Sequence, residues 1–122
     1  MKTTYLNVDL EIASRRALAP LTDELRAAMF ELHRERGLAC YETNDQRAKT
    51  PSAAIRAIVR VLDRLSPAAK RCWRAAHRRD FDVGIGGGAT PFQFAVALDE
   101  DVVREVARLG GRIVITVYGK AR

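Results

Sequence analysis

The opening of the chain alternates between apolar and polar side chains over residues 4–12. In an extended strand the apolar side chains share one face, and they are Leu6, Val8, Leu10 and Ile12. The opposite face carries Asn7, Asp9 and Glu11. A strand with this pattern belongs to a sheet that is covered on one side only. The opening therefore predicts a sheet whose second face is open to solvent or to a partner.

Four helices are predicted from capping signals and apolar periodicity. Thr50-Pro51 and Ser66-Pro67 each place an N-cap residue before a proline at the first helical position. Asp99 is predicted to cap another helix, which Gly110-Gly111 ends. The predicted helices cover residues 17–27, 51–65, 67–78 and 100–109.

Period-two alternation predicts further strands over residues 80–85, 90–97 and 112–118. The last of these, RIVITVY, is mostly apolar and is therefore predicted to lie in the centre of the sheet. Residues 28–43 admit two interpretations, a continuous helix or a hairpin that turns at Arg36-Gly37. We favour the hairpin. A two-residue turn would place His33 opposite Cys40, whereas a three-residue loop would separate them.

These elements predict an α+β fold in the order β-α-β-β-α-α-β-β-α-β. Helices and strands alternate too irregularly for a doubly wound parallel sheet, so we expect a single mostly antiparallel sheet with helices packed on one face. The first seven elements contain a ferredoxin-like β-α-β-β-α-β core. A chain of 122 residues suits one domain, residues 1–122.

The second half of the chain has a characteristic succession of segments. It runs through AAIRAIVRVLDRL, FDVGIG, PFQFAVALDEDVVREVARLGG and IVITVYG, within roughly residues 51–119. This succession resembles a bacterial family of domains of unknown function, the family numbered 4279. Thr116 stands where the resemblance leads us to expect an acidic residue. The resemblance implies a bacterial α+β domain and assigns no catalytic or binding residue.

Arginines dominate the basic residues of the chain. The formal charge of +6 rests on 17 arginines and 4 lysines, a bias that GC-rich coding also produces. Arginines recur at helical spacing along two predicted helices, as Arg56, Arg60 and Arg64 and as Arg71, Arg74 and Arg78. Such stripes could contact phosphates, so non-specific nucleic-acid binding is an alternative function. We do not favour it, because no aromatic side chain is interleaved with these arginines to stack on bases.

The sequence pattern shows no convergent catalytic chemistry. Cys40 and Cys72 lack CxxC spacing and are expected to be reduced thiols rather than zinc ligands. The glycines in residues 84–88 lead into an extended segment, whereas a phosphate-binding loop opens into a helix. We therefore predict no catalytic, cofactor-binding or metal-binding residue and no cofactor. An enzyme that uses His33 and Cys40 is the remaining alternative.

The predicted function is a non-enzymatic protein–protein interaction module. It would act as a homodimer or other homo-oligomer, or as an immunity-like protein that binds another protein. Its candidate surfaces are the polar strand face, with Asn7, Asp9 and Glu11, and the two arginine stripes. A cytoplasmic location without membrane contact is expected, because no apolar run approaches the ~20 residues of a membrane span and the opening lacks a signal peptide's apolar block.

Overall fold

The computed structural model describes residues 2–119, which form five strands and four helices. The strands are Thr4–Ala13 (β1), Met29–Glu35 (β2), Leu38–Thr43 (β3), Arg78–Gly86 (β4) and Arg112–Tyr118 (β5). The helices are Leu21–Ala28 (α1), Pro51–Asp63 (α2), Pro67–Ala75 (α3) and Glu100–Arg108 (α4).

The strands form one open sheet in the order β2-β3-β1-β4-β5. β1 lies between β3 and β4 and is antiparallel to both, and β2 is antiparallel to β3. β5 is parallel to β4, and α4 provides the connection that a parallel pair requires. The predicted α+β class with a single, mostly antiparallel sheet is confirmed.

One face of this sheet is buried beneath the helices. In β1 the inward residues Val8, Leu10 and Ile12 are buried, as the alternation predicts. The register places Leu10 between Tyr41 and Phe81, and these side chains belong to one buried cluster with side chains from all four helices. α1 packs against β2, β3 and α3, and α2 packs against β1, β3 and α4. Leu6 departs from the prediction: it is exposed, beside an irregularity in the β1–β4 register.

The hairpin over residues 28–43 is confirmed. α1 ends at Ala28, and Met29 already has the extended backbone of a strand. Gly37 has a φ of 79°, a left-handed conformation that favours glycine. The strands on either side pair with His33 opposite Cys40, as the two-residue turn predicts.

The predicted strand over residues 90–97 is wrong, and with it the six-strand element order. In the structure these residues form no strand of the sheet, and Phe92 is fully exposed. β4 already has β1 on one side and β5 on the other, so a strand after the glycine run has no place beside it. The alternation of Phe92, Phe94 and Val96 therefore reflects no sheet pairing.

The prediction that the last strand is central is also wrong. β5 is an edge strand, and its side chains Ile115 and Val117 are 60% and 63% exposed. Their apolar character does not reveal how many neighbours the strand has. Within the described chain, β4 is its only strand neighbour.

The largest differences from the predicted helix boundaries are at the start of α1 and at the end of α3. α1 begins at Leu21, with Pro20 in the N-cap position, rather than at residue 17. α3 ends at Ala75, so Arg78 lies in β4 and does not continue a helical stripe. The predicted caps Thr50 and Ser66 are confirmed, since each side chain accepts a hydrogen bond, at 3.1 Å, from a backbone N–H in the first turn of its helix. Asp99 occupies the N-cap position of α4, but its side chain makes no capping hydrogen bond.

Candidate interaction surface

The face of the sheet opposite the helices is lined with carboxylates. β1 contributes Asp9 and Glu11, and the register aligns Asp9 with Glu42 of β3 and Asp82 of β4. Glu11 is aligned in the same way with Asp80 of β4. We call this set the acidic face, and its carboxylates are Asp9, Glu11, Glu42, Asp80 and Asp82. The predicted polar side of β1 is thus one row of a larger charged surface.

Two arginines neutralise one end of the acidic face. Arg112 donates two hydrogen bonds of 2.9 Å to the carboxylate of Asp80, which is buried. Arg78 forms an ion pair with Glu11, and its Nε lies 3.6 Å from Asp80. Bidentate pairing of this kind satisfies a carboxylate that is removed from water. The carboxylates at this end of the face are therefore paired with cations of the chain itself.

The other end has no such compensation. Asn7 Nδ2 donates to Asp9 at 3.0 Å and to Glu42 at 2.8 Å, and Thr116 Oγ1 donates to Asp82 at 2.7 Å. Within residues 2–119, the salt bridges of this face involve Glu11 and Asp80, and no basic side chain makes one with Asp9, Glu42 or Asp82. These three partly buried carboxylates thus lie close together and have only neutral hydrogen-bond partners. Like charges opposite each other on neighbouring strands destabilise a sheet.

The electrostatic consequence is clearest at Asp9. Burial, followed by the charges of Glu42 and Asp82, raises the pKa of Asp9 from 3.8 to about 6. Ionisation of this carboxyl near neutral pH is therefore opposed by its surroundings. A cation placed over the face from outside the chain would reverse that effect.

Aromatic side chains flank the uncompensated carboxylates. Phe30 on β2 is aligned with Glu42 and is 56% exposed, and Tyr118 on β5 is 50% exposed. The ring of Tyr118 lies beside position 84, where an added Cβ would be in ordinary contact with Tyr118 Cε2, at 3.5 Å, but too close to Asn7 Oδ1, at 2.9 Å. The sequence prediction did not include these aromatics, since only the register reveals which strand positions share a face.

His33 and Cys40 are neighbours on the same face, with Glu11 on the other side of the cysteine. Burial, followed by the charges of Asp9, Glu11 and Asp82, raises the pKa of Cys40 to about 12. A catalytic cysteine requires the opposite shift, since the thiolate is the nucleophile. His33 Nε2 lies 3.5 Å from a carboxylate oxygen of Glu35. This arrangement does not activate the cysteine.

Several of the predicted arginines interact with acidic side chains of the chain itself. Arg56 pairs with Asp99 at 2.6 Å and with Asp101 at 3.0 Å, and Arg60 lies 3.7 Å from Asp45. The remaining arginines of the predicted stripes, apart from Arg78, are exposed, and they are Arg64, Arg71 and Arg74. With Arg78 in β4, the stripes are shorter than predicted.

Two further features of the described chain bear on ligand binding. Within residues 2–119, no three or more His, Cys, Asp or Glu side chains are arranged to hold a metal ion. The glycine run continues β4 and then meets β5, where Gly87 N–H donates to the carbonyl of Tyr118 at 2.8 Å. It leads into no helix before α4, and a phosphate-binding loop requires one.

Comparison with known proteins adds no assignment. No family model, no curated protein and no solved structure matches the chain. The resemblance to the family numbered 4279 therefore stays a prediction. None of the helices in the described part of the chain is long and apolar enough to cross a bilayer.

Proposed function

We propose that the protein is a non-enzymatic interaction module that binds a basic protein surface through its acidic face. The observation that carries the proposal is the group Asp9, Glu42 and Asp82, partly buried and without a cation from residues 2–119. A sheet that served only as scaffold would gain stability from neutral side chains at these positions. Charged side chains that a protein retains although they lower its stability are typical of functional surfaces.

The chemistry of the face defines the partner. Arginine side chains would supply the missing positive charge through bidentate hydrogen bonds, and their planar groups would stack on Phe30 and Tyr118. The partner could be another protein that this one neutralises, in the manner of an immunity protein, or a second copy. The chain's net charge of +6 repels a basic partner at long range, so recognition would depend on the local face.

The test uses an arginine-rich peptide of about twelve residues as a probe, with an aspartate-rich peptide as a negative control. We expect amide chemical shifts of β1, β3 and β4 to move on titration with the basic peptide. The double variant D9N/D82N should weaken binding at least about tenfold, because two charge-assisted contacts are lost. E35Q, on the neighbouring strand β2, is the matched control. Equal binding by D9N/D82N and wild type would refute the proposal.

Non-specific nucleic-acid binding is the second candidate, and the exposed side chains of Arg64, Arg71 and Arg74 support it. Random duplex and single-stranded DNA should be titrated into the protein at low salt. Binding tighter than ~0.1 mM that weakens steeply with salt would favour this function. An R64A/R71A/R74A variant should then lose it, whereas D9N/D82N should not.

Three related proposals concern the setting of the protein. The pairing of β1 with β3 and β4 and of β2 with β3, all antiparallel, supports a ferredoxin-like core within the first seven elements. The succession of segments in the second half supports membership of the bacterial family numbered 4279. Free thiols at Cys40 and Cys72 support a cytoplasmic location, where cysteines stay reduced.

A further inference from the structure

β5 has one side without a strand partner in the described chain. Gly87 N–H donates to the carbonyl of Tyr118, so the backbone groups of Tyr118 point toward β4. Backbone groups of successive strand residues point in opposite directions. The N–H and C=O groups of Ile113, Ile115 and Val117 therefore point outward, along the free edge.

The two edges of the sheet differ in how they are protected. The β2 edge carries His33, Arg34 and Glu35, and its pairing has an irregularity after Glu31. Charges and bulges of this kind discourage strand pairing. In β5 the five residues 113–117 are all β-branched and uncharged, with no proline, and the β4 register is regular along them. Such a strand is well suited to pairing.

Exposed apolar surface accompanies this edge. Ile115 and Val117 are more than half exposed on the helix-covered side of the sheet, whereas Ile113 packs against the core. A strand added alongside β5 would cover the two exposed side chains while it satisfied the outward backbone groups.

We infer that β5 pairs antiparallel with β5 of a second copy, in the register that places the two Ile115 residues opposite each other. This register aligns Ile113 with Val117 of the second copy, so every outward backbone group of the three residues finds a partner. Three such pairs, each exchanging two hydrogen bonds, give about six bonds across the interface.

The side chains of β5 are complementary to themselves in this register. Val114 lies opposite Thr116 of the second copy, and Arg112, the single charged residue of the strand, lies opposite Tyr118. No like charges face each other, and every pair along the helix-covered side is apolar. A register shifted by two residues in either direction would pair fewer residues of the two β5 strands. The strand therefore fits a second copy better than a partner of unrelated sequence.

The interface expected from this pairing is small. The contact is confined to two seven-residue strands, so it belongs among the small interfaces, below about 1,200 Å² in total, that are typical of weak or transient association. We therefore expect a dimer with a micromolar dissociation constant. The inferred pairing uses the free edge of β5 and not the acidic face. It rests on the proposed function only in the general sense that both are contacts between proteins.

The full chain should be examined by sedimentation velocity over a range of about 1 to 500 μM. We expect a reversible monomer–dimer equilibrium, and I115K should weaken it at least about tenfold by placing a charge on the edge. The matched control is V103K, which adds the same charge to an exposed apolar position on α4. Circular dichroism should show that both variants remain folded.

Hydrogen exchange gives a second measurement that depends on the register. At high concentration the amides of Ile113, Ile115 and Val117 should become protected, whereas those of Val114 and Thr116 should be protected at all concentrations. A chain that stays monomeric throughout, or a dimer that I115K leaves intact, would overturn the inference. A dimer abolished by D9N/D82N and unaffected by I115K would instead assign self-association to the acidic face.

Discussion

Replacing Asp9 by asparagine is expected to stabilise the fold at neutral pH. Burial and the charges of Glu42 and Asp82 raise the pKa of Asp9 from 3.8 to about 6. A rise of this size corresponds to about 3 kcal/mol of unfavourable ionisation in the folded state. Because the side chain is partly exposed, solvent screening reduces this to about 1–2 kcal/mol. Asparagine keeps the acceptor oxygen that Asn7 contacts at 3.0 Å and removes the charge.

The pH dependence has a definite sign. The pKa of Asp9 is higher in the folded state than in the unfolded state. The stability of wild type relative to D9N is therefore greatest below pH 3.8 and is lost as the pH rises through about 6. The free energy of unfolding of D9N should therefore exceed that of wild type by about 1–2 kcal/mol near pH 7.5. The difference should shrink as the pH falls below about 6 and should disappear well below pH 3.8, where Asp9 is protonated in both the folded and the unfolded state.

Urea denaturation followed by circular dichroism at several pH values measures this difference. E11Q is the matched control, because Glu11 occupies the same face of β1 and forms an ion pair with Arg78. It should lower the free energy of unfolding by about 0.5–1 kcal/mol. If D9N destabilises the protein near neutral pH, or if its effect does not change with pH, the electrostatic account of the acidic face is incorrect.

Three further predictions concern single residues. In G111A the new Cβ would lie 2.7 Å from Phe81 Cε2, so urea denaturation should show a loss of about 1–3 kcal/mol, and an unchanged midpoint would contradict this contact. S66A should be more destabilising than T50A in the same assay. Each variant loses a helix cap worth about 1 kcal/mol, but the Ser66 hydroxyl also donates a hydrogen bond of 2.5 Å to Glu24 of α1. Equal losses of stability would count against that second contact. Cys40 should react with a thiol reagent near pH 8 more slowly than a free thiol of pKa ~8.5, since burial raises the pKa of Cys40 to about 12. A faster reaction would support an enzyme that uses His33 and Cys40.

Local patterns in the sequence predict the elements but not their neighbours. The alternation over residues 4–12 defines a buried and a polar face of β1, and the structure confirms both except at Leu6. The carboxylates that raise the pKa of Asp9 come from β3 and β4, far away in sequence. Only the strand order and register bring them together, so the acidic face could be predicted as one row and not as a cluster.

The same limitation explains the two errors at the end of the chain. Residues 90–97 and 112–118 both have strand-like patterns, but only one of them can occupy the position beside β4. α4 connects β4 to the later segment as a parallel neighbour, and the earlier segment is left outside the sheet. An apolar run describes what its side chains prefer to contact. It does not say whether a second strand is present to make that contact.

The acidic face and the free edge meet at β5, so their interactions are expected to be coupled. Thr116 donates to Asp82, and the ring of Tyr118 lies beside position 84. Antiparallel pairing of β5 preserves the faces of a sheet, so a dimer would present two acidic faces on the same side. A basic partner long enough to reach both would bind with an avidity that neither face has alone. By thermodynamic linkage, dimerisation and the binding of such a partner must strengthen each other by the same factor. Because I115K weakens the dimer, it should reduce the affinity for a long basic partner more than the affinity for a short one.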